Sequence, residues 1–375
     1  MTTLSTPELA ELRSVTEDYV RGAGEDNVGQ RAPADGFAFD RATWKASARA
    51  LGLPGVLVPE AFGGLGFGLG ESLSICEVLG AMLHRGPFLS SAVVATTALS
   101  AAGDAASELL GALNTGEEVA VLVSDLLPPS RAQVHFATGP DDDSAINGTA
   151  PLVVGAAEAD ALIVPVRAAS GIELRIVRAD APGVTVAALR SLDLTRPLSL
   201  VQLDGARGTT VASGAMAREA LSAATVAGHL GLAADSLGCA SRALAMTVEY
   251  AGQRVQFGRL IGSFQAVKHR CADLLVAIER GRSAQFAALG ALGGGAERRQ
   301  QHASLAKTAA ADAAFVVGRE TVHLHGGIGF TWEHPAHLFY RRGTANQLVY
   351  GRAADHHQQI VETLLGATST EGNTP

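Results

Sequence analysis

Hydrophobic and polar positions divide the chain into three regions with different periodicities. From residue 1 to about 115, apolar side chains recur at the three- and four-residue spacing of amphipathic helices. Between about 117 and 212, short runs rich in Val and Ile alternate with turn-forming residues, which is typical of strands. From about 213 onward the helical spacing returns over much longer segments. The pattern therefore predicts helices, then a small β-domain, then long helices.

Individual elements follow from the same pattern. In the first region it predicts helices over 4–20, 42–54, 71–86 and 90–102, and a glycine-rich loop over 55–70. In the second it predicts strands over 118–127, 132–138, 160–166, 171–179 and 184–189. In the third it predicts helices over 214–254, 264–292 and 302–327, a connection over 293–300 and a closing helix near 354–366.

These elements predict an α+β fold class. The expected units are an N-terminal α-helical domain (1–116), a middle β-domain (117–212), a C-terminal helical bundle (213–368) and a disordered polar tail (369–375). Long, alanine-rich helices of low amphipathicity usually pack in bundles and often bury a second face in an oligomer.

Composition and charge exclude several classes of protein. The chain has 375 residues and a net charge of −8, and no basic block indicates a nucleic-acid partner. No apolar run approaches the ~18 residues that cross a bilayer, and the first residues lack a signal-peptide pattern, so we expect a cytoplasmic protein and no membrane partner. Three isolated cysteines predict neither disulfides nor a metal site, and Asp141–Asp143 have the composition of a solvated turn.

Two polar segments of the third region suit an anionic ligand. Arg254 stands beside the turn former Gly258, where a guanidinium can bind a pyrophosphate through two hydrogen bonds. Gln265 opens the next helix, whose first backbone N–H groups also favour anions. Gly326 and Gly327 allow close approach of a flat or charged ligand. From the residues alone, a surface charge and ordinary turn glycines remain the alternative.

Four motifs in order along the chain resemble the acyl-CoA dehydrogenase family, over nearly the whole sequence. They are LGLPGVLVPEAFGGLGFG (51–68), LDLTRP (192–197), RVQFGRLIGSFQAVKHRCADLL (254–275) and VHLHGGIGFTWEHP (322–335). The resemblance implies the family's fold, with a C-terminal four-helix bundle, and FAD as cofactor. It also implies α,β-desaturation of an acyl-CoA and electron transfer to an electron-transferring flavoprotein.

The resemblance assigns cofactor-binding residues by position. In the family the matching groups hold the ADP part of an FAD that is seated mainly in the neighbouring subunit. They correspond here to Arg254, Gln256, Phe257, Gln265, His323, Gly326 and Gly327. His323 stands where the family usually has glutamine, and a neutral imidazole still donates one hydrogen bond.

The sequence departs from the family at the catalytic base. Tyr350 and Gly351 occupy the position of the usual glutamate, and Gly228, followed by His229, occupies the alternative position on an earlier helix. Asp355 or Glu219 would serve as a base only with a shifted alignment. The β-domain also lacks the family's Trp-Ile/Val-Thr strand at the flavin, with Ser124 and Asp125 as a faint equivalent of its Gly-Ser-Asp loop.

Because of these two departures, the sequence resembles the base-lacking subunit of actinobacterial heterotetrameric acyl-CoA dehydrogenases, which contain two chains of each kind. We therefore expect an acyl-CoA dehydrogenase partner subunit and a bulky acyl-CoA substrate, such as a steroid-derived thioester. Three alternatives stay open: a self-sufficient homotetramer with a displaced base, a flavin-free scaffold subunit, and a flavin-dependent monooxygenase of the same fold.

Overall fold

The computed structural model describes residues 4–24, 26, 39–125, 134–139 and 142–371. The first helix, α1 (Thr6–Gly22), begins where the sequence predicts, because the Glu8 carboxylate accepts the Ser5 backbone N–H at 2.7 Å. The Asp40 side chain caps α2 (Arg41–Leu51), which ends at left-handed Gly52. Further helices of this region are α3 (Leu69–Ala81), a π-helix (Phe88–Ala95), α4 (Thr96–Ser100) and α5 (Ser107–Asn114). The predicted helix over 90–102 is thus divided between the π-helix and α4.

Eight strands form one mixed sheet in the middle of the chain. They are β1 (Ala120–Leu122), β2 (Phe136–Thr138), β3 (Ile146–Val154), β4 (Ala161–Ala168), β5 (Gly171–Arg178), β6 (Val184–Leu189), β7 (Leu198–Ala206) and β8 (Thr209–Ser213). Their order is β6–β7–β3–β2–β4–β5–β8, and β1 and β2 both run parallel to β4. Strands β3, β7 and β8 are additions to the predicted set, and residues 132 and 133 of the predicted second strand lie outside the described residues.

The C-terminal region consists of long helices joined by short connections. They are α6 (Gly214–Gln253), α7 (Gln265–Gly290), α8 (Ala296–His325), α9 (Ala336–Leu348) and α10 (Ala353–Glu371), with a hairpin of β9 (Val255–Gln256) and β10 (Arg259–Leu260) after α6. Helices α6 to α9 pack on one another as a bundle, which agrees with the predicted four-helix bundle.

Three details of this region differ from the prediction. Helix α8 begins inside the segment predicted as a connection, because the glycines stop at Gly295 and helix-forming residues follow. Helix α9 has no predicted counterpart. Helix α10 continues to Glu371, so residues 369–371 of the predicted tail are helical, while 372–375 lie outside the described residues.

Glycines let the helices meet at backbone distance. A Cβ on Gly238 of α6 would lie 1.8 Å from the Glu77 carbonyl oxygen of α3. A Cβ on Gly343 of α9 would lie 2.6 Å from the Ala314 carbonyl oxygen of α8. Neither position has room for a larger residue. These contacts hold α6 against α3 and hold α9 against α8. The candidate site begins where α9 ends.

Candidate functional site

A cavity of about 540 Å³ lies where the sheet meets the end of α9 and the start of α10. Its walls come from segments distant in sequence: the π-helix, the sheet with its β6–β7 connection, and the turn between α9 and α10. Most lining side chains are apolar, among them Val94, Val121, Leu152, Val154, Leu198 and Leu348. A concave, mostly apolar pocket with a few polar groups is the usual form of a site for a small organic ligand.

The turn after α9 carries Tyr350 and Gly351, the two residues that the sequence analysis predicts at the usual base position. Tyr350 (φ 59°) and Gly351 (φ 95°) are both left-handed, which is uncommon for tyrosine because its Cβ crowds the backbone. Tyr350 lines the cavity and is 9% exposed. Burial raises the pKa of the Tyr350 phenol to about 12. The phenol is therefore protonated near neutral pH and does not act as a base.

Two buried side chains, which we call the Lys307–His356 clamp, hold the carbonyl groups of this turn. The Lys307 ammonium on α8 donates to the carbonyl oxygens of Gly351 and, at 3.3 Å, of Gln347. The His356 Nε2 on α10 lies 2.9 Å from the Tyr350 carbonyl oxygen, and its Nδ1 lies 3.0 Å from the Ser304 hydroxyl. Since a carbonyl oxygen only accepts, Nε2 carries the proton and Nδ1 accepts from Ser304. The clamp fixes the unusual backbone of Tyr350.

The alternative base position is part of the protein core. Gly228 and His229 are buried on α6, and neither lines the cavity. The His229 ring packs edge-on against the His356 ring at 4.8 Å, and the Gln300 amide donates to His229 Nδ1 at 3.3 Å. Neither of the two predicted base positions holds a carboxylate.

The carboxylates proposed as displaced bases have structural partners. Asp355 lines the cavity, but its Oδ2 accepts the Arg352 backbone N–H at 3.1 Å and thereby caps α10. Asp125, also at the cavity, lies 2.9 Å from the His135 ring nitrogen. Glu219 is exposed on α6, pairs with Arg299 at 3.0 Å and does not line the cavity.

The hairpin after α6 presents the first group of predicted cofactor-binding residues to solvent. Phe257 (φ 53°) and Gly258 (φ 75°) form a two-residue turn of the type that joins tightly paired strands. The Phe257 side chain is 92% exposed at the tip of the hairpin. Arg254, Gln256 and Gln265 are exposed beside it, and the Arg254 side chain makes no hydrogen bond or ion pair with any other described residue. This group is therefore accessible to a ligand or to another chain.

The glycine-rich turn after α8 carries the second group. Gly326 (φ 64°) ends the helix, and no atom lies within 4 Å of a Cβ placed on Gly326 or Gly327. His323 lines a second cavity, of about 490 Å³, beside this turn. The Tyr250 hydroxyl, one helical turn before Arg254, donates to the His325 carbonyl oxygen at 3.4 Å. The hairpin and the glycine-rich turn therefore lie at the same end of the bundle.

Comparison with known proteins decides the family. Residues 6–112 match the profile of the acyl-CoA dehydrogenase N-terminal domain, and residues 206–365 match that of the acyl-CoA dehydrogenase C-terminal domain. The acyl-CoA dehydrogenase IpdE2 of Mycobacterium tuberculosis is 32% identical over 311 residues, which are 83% of this chain and 83% of that protein. The chain belongs to the acyl-CoA dehydrogenase family.

Two solved structures share the fold of this acyl-CoA dehydrogenase. The Tcur3481–Tcur3483 steroid acyl-CoA dehydrogenase superposes with a TM-score of 0.84 at 28% identity, covering 97% of this chain and 99% of that one. The ChsE4–ChsE5 complex from Mycobacterium tuberculosis superposes with a TM-score of 0.81 at 29% identity, with full coverage of both chains. The family and the fold class predicted from the sequence are thus confirmed.

FAD is the cofactor of acyl-CoA dehydrogenases, and the donors at the hairpin fit its ADP part. Arg254 supplies a guanidinium, Gln256 and Gln265 supply amides, and the open glycine backbone at Gly326 allows close approach. Such a set of charged and amide donors suits a pyrophosphate. All of these groups are exposed, so a ligand can reach them from solvent.

The cavity fits the flavin ring less well. Its sheet side offers mainly Val121, Leu152 and Val154, and no tryptophan lines it in the described part of the chain. The one carboxylate on that side, Asp125, is paired with His135. A flavin ring there would find few of the donors that orient it in a dehydrogenase.

A buried ionic network, which the sequence does not predict, lies next to the cavity. Arg342 of α9 pairs with Asp193 at 2.8 Å and with Asp235 at 2.7 Å, and Arg196 pairs with Asp235 at 2.9 Å. The LDLTRP motif therefore joins the sheet to α6 and α9, with a structural role. The one sequence signal was a single aspartate, Asp235, within the apolar middle of α6.

Among the described residues, no group of three histidines, cysteines or carboxylates has the geometry of a metal site. In particular, His356 belongs to the clamp, while His337 packs its ring against Trp332. Asp142 pairs with Arg207 at 2.9 Å, as expected of a solvated turn, and Asp141 lies outside the described residues.

Proposed function

We propose that this acyl-CoA dehydrogenase is the base-lacking subunit of a mixed oligomer with two chains of each kind. It completes the FAD site of its partner subunit through the exposed hairpin and the glycine-rich turn. The partner supplies the base and holds the reacting acyl-CoA. FAD bound there would supply the hydride acceptor for the β-hydrogen of the acyl group.

The observation that carries the proposal is the chemistry at the base position. Removal of a proton from the α-carbon of a thioester requires a base held at that carbon. Tyr350 is a neutral phenol there, and Asp355 is engaged as a helix cap. The chain's own cavity therefore lacks the group that begins the reaction.

The outward-facing donors support the second half of the proposal. Phe257 and Arg254 lie at the tip and base of the hairpin, without a polar partner for Arg254 in the described chain. Apolar side chains on the outer face of the bundle, Leu275, Val276 and Phe286, are more than half exposed. An apolar helical face of this kind is buried when subunits associate.

The substrate and the electron acceptor are proposed from the relatives. One solved relative is a steroid acyl-CoA dehydrogenase, and another is a complex of two differently named chains. We therefore favour a bulky, steroid-derived acyl-CoA as substrate and an electron-transferring flavoprotein as acceptor. No described helix is both long and apolar enough to cross a membrane, and a cytoplasmic location remains our expectation.

Coexpression with the partner dehydrogenase chain tests this function. In the mixed complex, Arg254→Ala should weaken FAD binding roughly tenfold or more, because a charge-assisted hydrogen bond to the pyrophosphate is lost. The matched control is Arg218→Ala, an exposed arginine about 50 Å away at the other end of α6. Flavin absorbance per complex after dialysis measures occupancy.

The same preparations separate the alternatives. Equal flavin content in both variants would refute the role of Arg254. If this chain purified alone is yellow and acyl-CoA bleaches its flavin, it is self-sufficient, and Asp355→Asn should then abolish the bleaching. A colourless mixed complex would support a scaffold, and oxygen-dependent consumption of reduced flavin would support a monooxygenase.

A further inference from the structure

Two histidines stand at the two ends of the segment that carries the glycine-rich turn. His325 is the last residue of α8, and His334 lies two residues before the start of α9 at Ala336. Their ring centroids are 4.4 Å apart, so the two ends of the segment 326–333 are in direct contact. The His325 ring also stacks on Tyr250 of α6, with its centroid at 4.4 Å. The pair therefore closes this segment and attaches it to the bundle.

The hydrogen bonding of His325 requires a neutral ring. Its Nδ1 lies 2.7 Å from the Thr321 carbonyl oxygen, and because a carbonyl oxygen only accepts, Nδ1 carries the proton. Its Nε2 is buried and has no hydrogen-bond partner in the described part of the chain. A second proton, on Nε2, would therefore be a buried charge without an acceptor, which costs free energy. Burial accordingly lowers the pKa of His325.

The hydrogen bond of His334 requires the same state. The backbone N–H of Ala336 donates to His334 Nδ1 at 3.2 Å, so this nitrogen carries no proton. Ala336 is the first residue of α9, where the positive end of the helix dipole disfavours a cation. Protonation of Nδ1 would break this bond and place a positive charge at that helix end. Burial, together with the charge of a protonated His325, lowers the pKa of His334.

The surroundings of the pair do not favour a positive charge. The neighbouring titratable groups are Tyr250 on α6 and His337 on α9, and Arg341 of α9 adds a positive charge near His337. Glu333, next to the pair in sequence, is exposed. No carboxylate in the described part of the chain shifts the pKa of either ring. The closed turn therefore favours two neutral rings, whereas an opened turn exposes them to water.

We propose that His325 and His334 are positioning residues for the FAD site: as neutral rings they hold the glycine-rich turn (Gly326–Phe330) closed, and their protonation opens it and releases the FAD. The inference rests on the proposed function, in which this turn contacts the FAD of the partner subunit. The glycines of the turn have no side chains that hold their backbone in place. The position of the turn therefore depends on its two ends.

The direction and size of the effect follow from the difference in protonation between the two states. The opened turn takes up protons as the pH falls below 6.5, whereas the closed turn resists them, so opening becomes more favourable at lower pH. Between pH 7.5 and pH 6.0, each histidine that the closed turn holds neutral should raise the opening equilibrium by up to about fourfold. The pair should raise it by up to about fourteenfold.

Hydrogen exchange of the segment 326–335 in the mixed complex, corrected for the intrinsic pH dependence of exchange, measures this opening. The corrected rate should rise in the wild type between pH 7.5 and pH 6.0. The double variant His325→Phe/His334→Asn should show no such rise. Phenylalanine keeps the stack on Tyr250, asparagine keeps an acceptor for the Ala336 N–H, and neither side chain titrates.

The matched control is His302→Asn, on the same helix α8. His302 Nδ1 donates to the carbonyl oxygen of Arg298, four residues earlier, as His325 does to Thr321, but it lies about 35 Å away near the other end of α8. This variant should keep the rise of the wild type. If the double variant does not fold, each single variant replaces it and should remove up to about fourfold of the rise.

Flavin absorbance of the complex after dialysis at the two pH values gives the second readout. The wild type should lose a fraction of its flavin at pH 6.0 that the double variant retains. An equal rise in exchange in the wild type and the double variant would overturn the role of the pair, whatever the flavin content. A rise confined to the wild type, with no difference in retained flavin, would overturn the release of FAD. In that case Arg254→Ala at pH 7.5 shows where the failure lies, since its loss of flavin would leave the proposed function standing.

Discussion

Lowering the pH should destabilise this protein through His356. The side chain is fully buried, and burial, reinforced by the charge of Lys307, lowers its pKa from the usual 6.5 to about 4. The unfolded chain therefore takes up the proton first as the pH falls. The stability contributed by neutral His356 is complete above pH 6.5 and is lost as the pH falls towards 4.

The magnitude follows from the two pKa values. Full titration of His356 changes the unfolding free energy by about 3 kcal/mol, since each unit of pKa difference between the folded and unfolded states contributes about 1.4 kcal/mol. Between pH 7 and pH 5 the wild type should lose about 2 kcal/mol of unfolding free energy from this group alone. Lys307, whose pKa is about 8, stays charged over this range and does not add to the change.

The assay is urea unfolding at pH 7 and pH 5, for the wild type and His356→Gln. Glutamine retains a donor for the Tyr350 carbonyl but has no group that titrates. Subtracting the two proteins removes the contributions of other groups, including Asp355 and His357 on the same helix. If both proteins lose the same unfolding free energy between the two pH values, burial does not hold His356 neutral in the folded state.

Two further substitutions test the packing around the site. Arg342→Met should cost about 3–5 kcal/mol of unfolding free energy, because it removes one of the two buried arginines that balance the buried Asp193 and Asp235, whereas the neighbouring Arg341→Met should cost under about 1 kcal/mol. Gly238→Ala should lower the melting temperature strongly, since its methyl group would overlap the Glu77 carbonyl oxygen at 1.8 Å. On the same helix, Gly252→Ala meets nothing within 4 Å and should be neutral or slightly stabilising, and equal effects of the two would contradict the close α3–α6 contact.

The sequence predicts elements whose signals are local. The helical spacing of α1 and the long apolar periodicity of α6 lie within continuous stretches of the sequence, and both helices form where expected. Strands β3 and β7 pair with each other across about fifty residues, and Gly148 and the acidic turn before β3 obscure its pattern. Pairing at this separation depends on contacts that a local pattern does not contain.

In the candidate site too, the sequence predicts the positions of residues but not their surroundings. Motif spacing locates Arg254, Phe257 and Tyr350, but the environment of each residue depends on distant elements. In the sequence, Lys307 is one polar residue in an alanine-rich helix and carries no sign of a role. Its ammonium reaches the carbonyls of the turn after α9 only in the folded chain. In the sequence, Asp355 is a candidate base. In the structure it lies in the first turn of α10, where its carboxylate caps that helix.

The predicted base position and the predicted FAD-binding residues depend on different elements of the fold. Helix α9 runs from beside the glycine-rich turn to Tyr350, and its 13 residues span about 20 Å. The hairpin depends on α6 and α7, whereas the base position depends on the clamp from α8 and α10. A tyrosine in place of the carboxylate therefore alters the chemistry of the cavity without disturbing the donors that face outward. In an oligomer where each FAD site needs two chains, such a change removes one reaction centre and leaves the neighbouring one intact.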